Sequence, residues 1–180
     1  MRRNLYIIPA TLLVIVGIAA TLQLQAQHQS RPQQPHSDCP MMKEHSMAGM
    51  HERGDHGMGF SQEKTTHHFH LTKTGAVIQV DANDAKDTVS RDQIRQHLGH
   101  IAMMFAEGNF DIPMFIHDQV PPGVAEMQRL KSAISYKFEE TERGGRVLIS
   151  TDDAQAAAAV QSFLRFQITE HKTGDPLEVK

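Results

Sequence analysis

Thr65-Thr-His-His-Phe-His-Leu-Thr-Lys-Thr-Gly-Ala-Val-Ile-Gln-Val80 is the stretch from which the fold can be read. Phe69 and Leu71 alternate with His68 and His70, the two-residue period of a strand with one face buried. Lys73-Thr74-Gly75 supplies a turn, and Ala76 to Val80 continues as a partner strand with Ile78 and Val80 on one face. After the connector Asn83 to Val89 the period changes. Ile94, Leu98, Ile101 and Phe105 recur at helical spacing, with Ser90 as the expected N-cap, Gln93 completing a capping box and Gly108-Asn109 as the stop.

The same order then repeats. Ile134, Tyr136 and Phe138 alternate with polar residues, Arg143-Gly144-Gly145 turns the chain, and Val147 to Ile149 returns. Thr151, Asp152 or Asp153 is placed to cap a helix bearing Ala157, Val160, Leu164 and Ile168, which Lys172, Gly174 and Pro176 end. Between the halves, Pro121-Pro122 leads into a short helix around Val124, Met127 and Leu130. The predicted fold is α+β: two β-β-α units forming one four-stranded antiparallel sheet with helices on one face. The pattern leaves the strand order open.

The predicted domain occupies residues 65–180 of the 180-residue chain. Residues 1–26 read as an export signal or a retained N-terminal anchor. Arg2 and Arg3 precede an apolar run from Leu5 to Leu22, and Leu24-Gln-Ala26 resembles a cleavage site. Either way the remainder is expected outside the cytoplasm, periplasmic or anchored facing the periplasm, with membrane contact only through this segment. Residues 27–64 are rich in Gln, His, Met, Gly, Ser and Pro and are expected to form a disordered linker. A net charge of -3 without a basic patch argues against nucleic acid as a partner. Cys39 is the only cysteine, which excludes an internal disulfide.

Within the linker, Cys39 to Met58 concentrates soft and borderline donors: Cys39, Met41, Met42, His45, Met47, Met50, His51, His56 and Met58. Thiolate, thioether and imidazole are the set preferred by Cu(I), and imidazole also serves Cu(II) and Zn. Capture of copper outside the cytoplasm is the leading expectation; a polar tether with incidental Met and His is the alternative.

The domain holds a second candidate set. His97, His100 and Met104 fall in one row along the first long helix, beside its apolar stripe. The segment after that helix, expected as a loop, adds Met114 and His117. Those five residues could complete a copper site, or His97 and His100 could be boundary histidines bonded to backbone or carboxylate. His68 and His70 share a strand face and could chelate a divalent metal or simply form a polar outer face. His171 and Gln167 lie on the apolar stripe of the last helix and need polar partners. Signals for catalysis are poor. No nucleophile elbow, phosphate loop, dinucleotide fingerprint or His-Glu-x-x-His occurs, and Asp111, Asp118 and His117 form only a weak triplet.

Thr65-Thr-His-His-Phe-His-Leu71, His97-Leu-Gly-His-Ile101, Pro113-Met-Phe-Ile-His117, Pro121-Pro-Gly123 and Phe163-Leu-Arg-Phe-Gln-Ile168 with Thr173-Gly-Asp175 resemble a family of small exported Gram-negative proteins that carry a His/Met-rich leader. The resemblance implies the architecture and the compartment and no activity. An aspartate carbamoyltransferase label attached to some members gains no support here, because the Ser-Thr-Arg-Thr-Arg phosphate loop is absent. The sequence reading is thus a copper-binding protein for buffering or delivery, with two alternatives: a module that binds another envelope protein, and a small metal-dependent enzyme.

Overall fold

The computed structural model describes residues 47–179. The signal or anchor segment, the first part of the expected linker, and Cys39, Met41, Met42 and His45 lie outside them. The elements are α1 (Met47–Met58), β1 (Thr65–Thr72), β2 (Gly75–Ala82), α2 (Thr88–Ala106), α3 (Asp111–His117), α4 (Val124–Arg129), β3 (Ser135–Glu140), β4 (Gly144–Ser150) and α5 (Ala154–His171), with short 3₁₀ turns at Gln62–Lys64 and Lys131–Ala133. The expected α+β fold is present: one four-stranded antiparallel sheet, in the order β1-β2-β4-β3. No helix among the described residues is long and apolar enough to cross a membrane.

The registry shows how the alternating pattern closes the sheet. Phe69 pairs with Ile78, Ile78 with Val147 and Val147 with Phe138, so one apolar row crosses all four strands. Each long helix packs mainly on the hairpin of the other half. α2 lies against β3 and β4, and α5 against β1 and β2. The two β-β-α units are therefore interlocked, and equivalent positions line up: Ile94 and Leu98 in α2 correspond to Val160 and Leu164 in α5, all four buried. Phe105, Phe110 and Phe163 fill the space between the helices, with ring centroids 4.4 to 5.9 Å apart.

Both long helices are capped by aspartate. Asp87 accepts from the Ser90 N–H at 3.0 Å and from its hydroxyl at 2.7 Å, so the helix starts two residues before the expected Ser90 cap, and Ser90 is buried in its first turn. Asp153 accepts from the N–H groups of Gln155 and Ala156. Gly123, at φ +86°, enters α4 against α5, where a Cβ would stand 2.2 Å from the Ala159 carbonyl oxygen. Only glycine satisfies both conditions.

Two expectations are corrected. The segment after α2 is a helix, α3, and not a loop; Phe110 precedes it, fully buried, and ties it to the core. Residues 47–64 are not linker throughout. α1 packs against α3, and Met50, Gly54 and Met58 form a buried row at four-residue spacing, continued by buried Phe60. The Arg53 Nε–H donates to the Ile116 carbonyl at 3.0 Å. Met50 and Met58 join the same apolar cluster as the sheet and the long helices.

Candidate functional site

The best-formed cavity lies between the sheet, α2, α3 and α5, with a volume of about 60 Å³. That is room for a few water molecules or a small ligand. Its walls are apolar, from residues such as Phe69, Ile78, Leu98 and Phe163, except where His67, His97, His117, His171 and Gln167 enter, and Met58 contributes a thioether.

Each imidazole arrives from a different element. His67, on β1, stacks between Phe60 (centroids 5.9 Å apart) and His171 (5.6 Å, planes 13° apart). His97, on α2, meets Phe60 edge-on at 5.5 Å. His117 occupies the last turn of α3 and His171 the last turn of α5, with ring centroids 5.1 Å apart and planes 88° apart. Both helices end at a residue with φ 51°, Asp118 and Lys172, directly after the histidine. Two carbonyl-rich helix ends therefore bring histidine to one cavity, a polarity that favours a cation.

His117 Nε2 lies 2.9 Å from Gln167 Oε1, and both residues are buried. With the ring N–H donating to the amide oxygen, Nδ1 is left with a lone pair. His117 Nδ1 and Gln167 Nε2 are buried and without hydrogen-bond partners among the described residues. Burial pushes the His67 and His97 imidazoles down to about 4, and the mutual proximity of the histidines adds to the effect. Burial also lowers His117, outweighing the opposing pull of Gln167 and Glu170. His67 and His97 are therefore neutral at pH 7, the state in which a ring nitrogen can ligate metal.

Among the described residues no three His, Cys, Asp or Glu side chains stand ready to share one ion. Among the described residues no carboxylate lines the cavity, and its titratable groups are the imidazoles. Asp111 and Asp118 are both exposed and do not join His117 in the cavity.

Of the five domain residues expected to converge, the structure brings His97 and His117 to the same cavity and separates the others. His100 is exposed and borders a different groove with Gly99, Met103, Tyr136 and Phe138. An i, i+3 pair shares a helix flank, but here the flank straddles the edge of the core. Met104 packs partly buried against the core, and Met114 is half-buried on α3; neither lines the cavity. In the leader, Met50 and Met58 are buried, His56 is exposed with its ring 6.3 Å from Phe115, and Met47 and His51 are positions of α1. His67 and His171 complete the cavity. Their signal in the sequence was the placement of histidine on apolar stripes.

No protein family, curated protein or solved structure matches the chain.

Proposed function

We propose that this chain is an exported copper-binding protein that buffers or delivers the metal. The leader donors from Cys39 to His56 capture copper, and the imidazole cavity receives it. The observation that carries the reading is the convergence of His67, His97, His117 and His171, with Met58, on one cavity in which His117 Nδ1 lacks a partner. Gln167 fixes the His117 tautomer from behind, as the outer partners of metal-binding histidines do. Imidazole with thioether suits copper better than Mg or Ca. Ring nitrogens sharing an ion lie roughly 3–4 Å apart at metal–nitrogen lengths of about 2 Å. Loading therefore turns the His67 and His171 rings toward His117.

The test is an anaerobic Cu(I) competition titration against a chromogenic chelator. Cys39→Ser, Met41→Leu, Met42→Leu and His45→Asn together remove the leader donors ahead of α1. That chain should keep one Cu(I) equivalent, and adding His97→Gln with His117→Gln should abolish it. Unchanged stoichiometry and affinity after the pocket substitutions would reject the domain site, and no Cu(I) binding by the parent chain would favour the envelope interaction module. Thermal melts of each variant separate loss of ligand from loss of fold.

A further inference from the structure

The face of the sheet opposite α2 and α5 carries a second histidine pair. His68 and His70 sit on β1, an edge strand, with nearly parallel rings (11°) and centroids 6.0 Å apart. The C-terminal segment reaches this edge and places Asp175 against it. One carboxylate oxygen accepts from the Phe69 N–H at 2.8 Å, and the other lies 3.1 Å from His68 Nδ1. The Asp175 side chain is 9% exposed and that of His68 42%.

An ionised carboxylate only accepts. The His68 proton is therefore held on Nδ1, and Nε2 carries the lone pair on a solvent-accessible ring. The His70 ring has no hydrogen-bond partner among the described residues, while its backbone pairs with Val77. Across the ladder Gln79 stands opposite His68, and its amide N–H donates to Asp81 at 2.6 Å, which leaves the amide oxygen as a third donor on this face. The nearest cation in register, Arg146 beside Gln79, is already neutralised by Glu139 at 2.7 Å. A carboxylate that orients one imidazole, with a second imidazole two residues along the strand, is the outer and inner shell of a metal site.

The geometry points to a surface site at His68 and His70 that takes a borderline divalent cation, Zn²⁺ or Cu²⁺, with Asp175 as the positioning residue. Modest rotation of the two accessible rings brings their nitrogens to one ion. The site lies on the opposite face from the imidazole cavity, and it stands or falls independently of the copper reading.

Zn²⁺ titration of the full chain, followed by the amide signals of β1 and by the imidazole ¹⁵N signals, tests it. Saturable shifts at His68 and His70 are expected, with Zn²⁺ on His68 Nε2. His68→Gln and His70→Gln should each weaken this response at least about tenfold, and Asp175→Asn by about ten- to a hundredfold. In Asp175→Asn the metal-free His68 ring should also lose its fixed Nδ1–H tautomer, a signature that a merely structural role for Asp175 would not move. Leader and cavity sites are common to all these chains and cancel in the comparison. Zn²⁺ shifts confined to other histidines, or a β1 response unchanged in His68→Gln and His70→Gln, would overturn the site.

Discussion

The His117–Gln167 pair shows how a residue's role depends on what burial leaves unmatched. Removing one member strands the other: His117→Leu should cost about 1–3 kcal/mol, and adding Gln167→Leu should recover part of that loss. Urea unfolding of the two single variants and the double variant measures it; additive losses would contradict the coupling. Burial likewise controls the charge of His67 and His97, which titrate at about 4 folded against an ordinary 6.5. Between those values the unfolded chain binds more protons, so stability is complete above pH 6.5 and declines as the pH falls toward 4. His97→Gln should flatten that decline, read from urea midpoints across the window; an unchanged slope would show that His97 is not held neutral by the fold. Much of this chemistry was legible in advance. His97 and His117 were paired, and His171 with Gln167 was marked by its apolar stripe. The meeting of His67 with His171 was not, because a ring pair between β1 and α5 depends on which helix covers which hairpin.

Elements were readable where a period ran long enough. Both hairpins and both long helices follow from their alternation and their four-residue recurrences. α1 escaped because three glycines, Gly49, Gly54 and Gly57, dilute its pattern. Among its described side chains the buried row is Met50-Gly54-Met58, with the partners elsewhere in the chain. α3 was expected as a loop; its Pro113 stands in the first turn, where proline loses no helical hydrogen bond. If α1 is part of the folded unit, its amides from Arg53 to Met58 should be protected in hydrogen exchange; exchange at free-peptide rates would contradict its packing. Asp153→Ala should cost about 1 kcal/mol through the lost α5 cap, while Gly123→Ala should cost more, because its Cβ meets backbone and not a side chain that can turn away. Thermal unfolding ranks the two, and the reverse order would contradict the close approach of α4 to α5.

At the scale of the whole molecule, duplication explains why the cavity exists. Each helix crosses to the other hairpin, so α5 lies over β1 and brings its C-terminal His171 to His67, while α2 brings His97 from the opposite side. In the repeat, Phe105 of α2 occupies the position that His171 holds in α5. The aromatic core and the imidazoles accordingly meet in one cavity, which Phe105 and Phe163 line together with the four histidines, and Met58 of α1 forms part of its wall. The strand order that produces this was beyond the reach of a periodic pattern, since both hairpins present the same apolar face whichever strands meet. Met58 is buried in the core as well as lining the cavity, so α1 is tied to the domain at this wall. The most direct measurement is Cu K-edge X-ray absorption of the chain lacking Cys39, Met41, Met42 and His45 donors, loaded with one equivalent of Cu(I). The account predicts scattering from at least two imidazoles, lost when His97 and His117 become Gln. An imidazole signal that survives both substitutions, or a shell with no imidazole at all, would contradict it.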